Sequence, residues 1–453
     1  MKIRQNMYAT LAALTLSASV IAQPPAPVAF ENVTVIPMDN ERQVAALTVV
    51  IQDARIAAIG PAGEVSIPDG ATRVDGQGKY LMPGLTETHG HLPSGSASPE
   101  MVDRVLQLNV LNGITTVRGM LGHPAQIEWR QQAASWQRLA PRLILAGPSI
   151  NGNSAPTPEV AVRMVQEQKA AGYDLLKIHP GLSRAAFDAM AETAHRMNIP
   201  FAGHVPLDVG VQRAIEAGYA SIDHMDGYME ALIADGAPVT LEQSGLFGSG
   251  LVGHINRDKL APLVRATREA GIYVNATESL MQTLAGTGQP ERMLADAAMA
   301  WWPQSDVNQW ADSVREFQAN PEFTPDRRAE YLELRSWLIR SLHEGGVTLL
   351  LGADAPQIGN VPGFATLQEL QLMTAAGLSN FEALATGTRN VGQYLAEPDF
   401  GTIAVGHRAD LLLLDGDPLV DVGNVRKQAG VMVNGRWLPK TEIEQRMAEL
   451  KLR

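Results

Sequence analysis

Between about Leu85 and Glu397 the chain alternates short apolar runs with helical stretches, and this alternation restricts the fold more than any other feature. Counting "LMPGL" as the first, the strand-like runs continue through "NGITTVRG", "RLILAG", "YDLLKIH", "PFAGHV", "ASIDHM", "IYVNAT" and "VTLLLGAD". Helical patterns such as "TPEVAVRMVQEQKAAG" and "SRAAFDAMAETAHRMN" lie between them, and most strands follow a Gly or Pro that ends a helix. Eight βα units predict an α/β fold of the (β/α)8 TIM-barrel type, whose chemistry gathers at the C-terminal ends of the strands.

The flanks read differently. Residues 28–80 carry short β-rich runs separated by Asn, Asp, Gly and Pro, and similar runs return in "GTIAVGHRADLLLLDGD" and "AGVMVNGRWL". The two ends are expected to pair into one small β-sandwich domain, from residues 23–80 and 398–453, bracketing a barrel over 81–397. Within the barrel, 278–342 is longer than a βα unit needs and reads as an insertion. Residues 1–22, with Lys2 and Arg4 ahead of a short apolar run, have the pattern of a secretory signal peptide, which predicts export to the periplasm or medium and a soluble mature protein. The chain contains no cysteine, so a disulfide-free core must hold it together.

The charge balance is 36 basic against 48 acidic residues, and no basic run occurs. This argues against a nucleic-acid or anionic membrane partner. The partner expected is a small-molecule substrate, with a homo-oligomer the one assembly left open.

Polar residues interrupt the strand ends at a few positions. His89 and His91 stand two apart, a spacing that points both imidazoles to one face of a strand and suits a metal ion. Lys177 falls in the fourth strand, His204 and His224 end the fifth and sixth, and Asp354 ends the eighth. The intervals of 27 residues from Lys177 to His204 and 20 from His204 to His224 each hold one compact βα unit, whereas the 130 from His224 to Asp354 must hold the seventh strand and the insertion.

The motifs "PGLTETHGH", "DLLKI", "GHV", "IDH" and "GAD", with "GTIAVGHRADLLLLDGDPL" near the C-terminus, resemble the metal-dependent amidohydrolase superfamily, in its imidazolonepropionase-like and prolidase-like branch. The resemblance implies two divalent ions, usually zinc. His89 and His91, with Asp354, would hold the buried ion and His204 and His224 the exposed one, while a CO2-derived carbamate on Lys177 bridges them. It further implies hydrolysis of an amide, in a dipeptide or N-acyl amino acid, by a metal-bridged hydroxide, with Asp354 as the catalytic proton carrier. A lysine suits such a site only once its charge is reversed, which a carbamate does.

Two alternatives remain within the superfamily: a one-metal deaminase or imidazolone-ring hydrolase, and a lactonase or phosphotriesterase. Deaminases of the family place a glutamate just after the fifth-strand histidine, whereas His204 is followed by Val205, Pro206 and Leu207. A non-enzymatic binding protein would have lost ligands that this chain retains. For substrate contact the sequence offers Arg118 as a carboxylate clamp or a structural ion pair, His123 as an oxyanion partner or a surface residue, and Tyr228 as a donor or a packing residue. Trp301, Trp302, Trp310 and Trp337 in the insertion read either as a hydrophobic lid or as the core of extra helices.

Overall fold

The structure is a computed structural model that describes residues 25–453. The segment 1–22, expected to be a signal peptide, lies outside the described residues. Among the described residues no helix is long and apolar enough to cross a membrane.

The flanking strands are β1 (Val28–Val35), β2 (Val44–Gln52), β3 (Arg55–Pro61), β4 (Thr72–Asp75) and β5 (Tyr80–Pro83) from the N-terminal side. The barrel strands are β6 (Leu85–Gly90), β7 (Ile114–Gly119), β8 (Arg142–Leu145), β9 (Leu176–Ile178), β10 (Phe201–Gly203), β11 (Ser221–Asp223), β12 (Tyr273–Asn275) and β13 (Leu349–Leu350). Three more, β14 (Leu411–Leu414), β15 (Gln428–Val433) and β16 (Arg436–Pro439), return to the flanking domain.

The two chain ends do pair: β14 runs antiparallel to β5, and the hydrogen-bonded order is β16-β15-β14-β5-β1-β2-β3 with β4 beside β1. Laid flat, β16 and β1 would stand roughly 19 Å apart, at about 4.8 Å per strand. Yet the rings of Phe30 on β1 and Trp437 on β16 meet edge to face at 4.9 Å. The sheet therefore folds over itself into two layers around Phe30, Val33, Ile51, Leu411 and Met432.

One boundary differs from expectation. "LMP" belongs to β5 of the flanking sheet, and the first barrel strand begins at Leu85. Gly84 makes the crossing, because a Cβ there would lie 2.2 Å from the Thr115 hydroxyl oxygen.

The eight parallel barrel strands pair as β6-β7-β8 and β9-β10-β11-β12-β13. Main-chain contacts join the two arcs: Ala146 bridges Leu175, and the Thr88 amide donates to the Leu351 carbonyl at 2.8 Å. Period-two alternation places apolar residues outward against the helices and polar ones inward. Leu176 and Ile178 join the outer core around Lys177, as Ile222 does between Ser221 and Asp223. The helices begin on local signals. Helix Pro158–Ala171 is capped by Thr157, whose hydroxyl accepts from the Val160 amide, and stops at left-handed Gly172.

Candidate metal centre

Strand ends deliver the predicted ligands to one place. His89, on β6, is fully buried, with Nε2 3.0 Å from Lys177 Nζ and 3.7 Å from Asp354 Oδ1. His91 lies one residue past the strand, its Nε2 3.1 Å from Asp354 Oδ1. Ligand atoms of His89, His91 and Asp354 all lie within 4.8 Å of one another. The His224 ring is 4.5 Å from that of His89 and 4.4 Å from that of His204, so the second pair adjoins the first.

Each ring is turned by a partner behind it. Nδ1 of His89 is 2.9 Å from Asp223 Oδ2, that of His204 is 2.7 Å from Asp226 Oδ2, and that of His224 is 2.8 Å from Thr277 Oγ1. For His204 and His224 the hydrogen bond at Nδ1 fixes the ring and leaves Nε2 for a ligand, the outer-shell arrangement typical of metal-binding histidines, while His89 Nδ1 approaches Asp223 without forming a hydrogen bond. The backbone is bent to the same end. His224, Thr277 and Asp354 all occupy the left-handed region, with φ of 62°, 52° and 60°, unusual for side chains branched at or beyond Cβ.

Electrostatics keep these groups as ligands. Burial holds His89, His204 and His224 well below the ordinary imidazole range and His91 down at about 3, with Lys177 adding to each shift, so all four are neutral at pH 7. Burial lowers Lys177 to about 8, against the pull of Asp223 and Asp354, and raises Asp354 to about 7.

Three buried atoms test whether these residues fit a metal. His91 Nε2, His224 Nε2 and Asp354 Oδ1 have no hydrogen-bond partner although they are closed off from water. Buried polar groups without partners are rare and costly; His91 Nε2 and Asp354 Oδ1 belong to the group of His89, His91 and Asp354 gathered within 4.8 Å, a donor set that suits a divalent cation, and the His224 ring adjoins it. The residues fit the group.

The substrate-contact expectations fare differently. Arg118 is buried beneath the ligands, and its donors are taken by the Thr88 carbonyl, Ser221 Oγ at 2.9 Å, the Tyr394 hydroxyl at 2.7 Å and Asp223 at 3.2 Å. Buried and engaged at all three of its nitrogens, it is a structural ion pair, not a carboxylate clamp. Tyr228 is likewise buried, its hydroxyl 2.7 Å from Thr267 Oγ1 in the barrel wall, so packing rather than substrate claims it. His123 Nδ1 accepts from the Ala125 amide at 3.2 Å and its ring covers Gly95, which makes it a loop residue instead of an oxyanion partner.

The tryptophans form helix core. Trp302 and Trp310 stack at 5.6 Å, Trp301 donates to the Met447 carbonyl at 2.8 Å, and Trp337 packs under the Arg257 guanidinium. The aromatic that does face the ligands is Phe247, whose ring is 5.1 Å from that of His224, in a segment between β11 and β12 that carries no local signal for this role. The insertion supports it from behind. Tyr331 donates to the Phe247 carbonyl at 3.1 Å, and Arg335 reaches the carbonyls of His224 and Ala276 while pairing with Glu278 at 2.8 Å.

These supports, along with Asp223, Asp226 and Thr277, are not among the residues that the sequence singles out. Asp223 and Asp226 were visible beside His224 in "IDHMD". His179, two residues beyond Lys177, stacks on His204 at 4.9 Å and bonds Ser149 Oγ at 2.6 Å.

Residues 80–438 match the profile described as the Amidohydrolase family. Among curated proteins the chain is 25% identical over 389 residues to an imidazolonepropionase of Salinispora tropica, covering 81% of this chain and 85% of that protein. Among solved structures it superposes on a putative prolidase from Bifidobacterium longum with a TM-score of 0.68 at 24% identity, covering 94% of this chain and 99% of that one. A Xaa-Pro dipeptidase with bound methionine gives 0.67 at 19% identity, covering 91% of this chain and all, 100%, of that one. These likenesses establish the shared barrel architecture.

Proposed function

The chain belongs to the amidohydrolase family, a hydrolase of carbon–nitrogen bonds, and on that premise we propose that it cleaves the amide of a dipeptide or N-acyl amino acid at a two-metal centre, zinc in the native enzyme, bridged by a carboxylated Lys177. The observation that carries the reading is the gathering of His89, His91 and Asp354 within 4.8 Å of one another, beside the buried Lys177 and the adjoining His224, with His91 Nε2, His224 Nε2 and Asp354 Oδ1 unpartnered. The prolidase and dipeptidase likenesses favour a dipeptide over other amides.

His89 and His91 with Asp354 would hold one ion and His204 and His224 the other. Lys177 would reach both after its neutral amine attacks CO2, forming an N–C bond and releasing one proton to give a carbamate. Bound ions of this kind polarise a carbonyl and acidify water. Asp354, raised toward neutrality, is placed to take a proton at Oδ1 from the attacking water and return it to the leaving nitrogen. Asp226 and Thr277 keep His204 and His224 aimed, and Phe247 covers their face against bulk water. Export directed by residues 1–22 belongs to the same proposal, and the N-terminus of the protein recovered from the periplasm checks it.

The test is metal content measured on the same sample as turnover of dipeptides, N-acyl amino acids and lactones. About two divalent ions per chain are expected, with chelation abolishing dipeptide turnover and added metal restoring it. Lys177→Ala should lose at least one ion and nearly all activity, acetate or propionate should partly restore both, and Lys177→Arg should not be restored, because guanidinium keeps its charge. Two ions and normal rates in Lys177→Ala would overturn the carbamate, and turnover confined to lactones would overturn the amide.

A further inference from the structure

A cavity of about 490 Å³ opens beside His204, walled by Leu182, Val205, Leu207, Leu246 and Phe247. Two of these, Leu207 and Leu246, are 46% and 49% exposed, large apolar side chains left in water at the mouth of a cavity that adjoins the metal ligands. Apolar area placed there is recovered when a ligand covers it. The polar part of the lining is acidic: Asp208, Asp226 and Glu230 contribute, and no lysine or arginine does.

Asp226 is engaged with His204, but Glu230 has only neutral partners, the Ser244 hydroxyl and main-chain amides. Burial pushes its carboxyl up to about 7, with Asp226 adding to the shift, and a cation brought beside it would favour its charged form. Arg118 does not serve the cavity either, since its guanidinium is consumed in the barrel interior. A substrate carboxylate has no counter-charge in this cavity.

We propose that the cavity is the specificity pocket for a substrate side chain with a long aliphatic stem and a positive head, of lysine or arginine type, the stem lying along Leu207, Leu246 and Phe247 and the head meeting Glu230. The inference rests on the amide-hydrolase reading, and two arms separate its failure from that one. In the first, kcat/KM is measured for matched dipeptides, Ala-Xaa and Xaa-Ala, with lysine, norleucine or glutamate as Xaa. Lysine should exceed norleucine by about tenfold or more in one position, with glutamate poorest, and Glu230→Gln should cut the lysine-to-norleucine ratio by at least about tenfold, as loss of a charge-assisted contact does.

Leu207→Arg, at an exposed position that tolerates the change, should lower the same ratio by placing a cation at the mouth. In the second arm, calorimetry compares butylguanidinium with butanol on the purified protein, the guanidinium being a cation that does not ligate metals. Butylguanidinium should bind more tightly, and Glu230→Gln should remove that advantage. Equal rates for lysine and norleucine, or a ratio that neither variant changes, would overturn the pocket. If no dipeptide is cleaved while butylguanidinium binding still depends on Glu230, the pocket stands and the amide reading falls.

Discussion

At the barrel rim, His91, His224 and Asp354 each present a buried atom with no partner, whereas deeper in the same barrel Arg118, Ser221 and Asp223 satisfy one another. Both regions are polar, enclosed and built from inward-facing strand residues, so burial and residue type do not tell them apart. Satisfaction does. A paired buried charge is a structural device whose desolvation has been offset locally, while an unpaired buried acceptor calls for an explanation, and for the rim the one proposed is a bound ion. The rim is therefore expected to fail by losing chemistry and the floor by losing stability, and each substitution below sets one outcome against the other.

The largest effect is expected at the rim. Asp354→Asn keeps a carbonyl oxygen able to coordinate weakly but not to carry a proton near neutral pH, so kcat should fall by roughly 10³-fold, within the usual range for a lost general acid–base. Most of the metal and the denaturation midpoint should be retained. A comparable loss of stability, measured by denaturant titration, would mean that Asp354 belongs with the paired floor.

How far the site could be read in advance follows the same division. His89, His91, Lys177, His204, His224 and Asp354 were legible because strand alternation and βα spacing fix which residues face inward near a strand end. That alternation gives a face but not a depth, and so Arg118 read equally as clamp or ion pair; only Thr88, Ser221, Asp223 and Tyr394, distant in sequence, decide it. Phe247, Tyr331 and Arg335 act through contacts between the 278–342 insertion and the chain that follows β11. No local periodicity encodes such contacts. The pairing of the two chain ends was legible from composition, but the transfer of "LMP" from barrel to sheet turns on the close packing of Gly84 against Thr115.

The floor should respond the other way. Arg118→Met leaves Asp223 buried without its cation, and breaking one side of a buried pair costs about 3 kcal/mol or more. The denaturation midpoint should drop accordingly, and whatever kcat/KM survives should fall equally for a free-acid dipeptide and its amide. A selective loss on the free acid would restore Arg118 as a carboxylate clamp and break the distinction between rim and floor.

The smallest effect should come from Tyr228→Phe, and it is the finest discriminator because the hydroxyl is buried in a contact between two helices, Tyr228–Ala231 and Leu260–Glu269, that wall the barrel. Thr267 already donates its hydroxyl hydrogen to the Leu263 carbonyl at 2.8 Å, so in the contact between Tyr228 and Thr267 the tyrosine is the donor and the threonine oxygen the acceptor. Removing the phenol oxygen leaves Thr267 still bonded through its hydrogen and strands only one lone pair, which places the cost at the low end for a buried hydrogen bond, about 0.5–1.5 kcal/mol. The ring keeps its packing, so no cavity term is added. The denaturation midpoint should move slightly and kcat/KM for any amide substrate should stay within about twofold of the unaltered enzyme. If stability were unchanged while kcat/KM fell more than about tenfold, the hydroxyl would have to reach the substrate during turnover, and Tyr228 would pass from the wall to the rim.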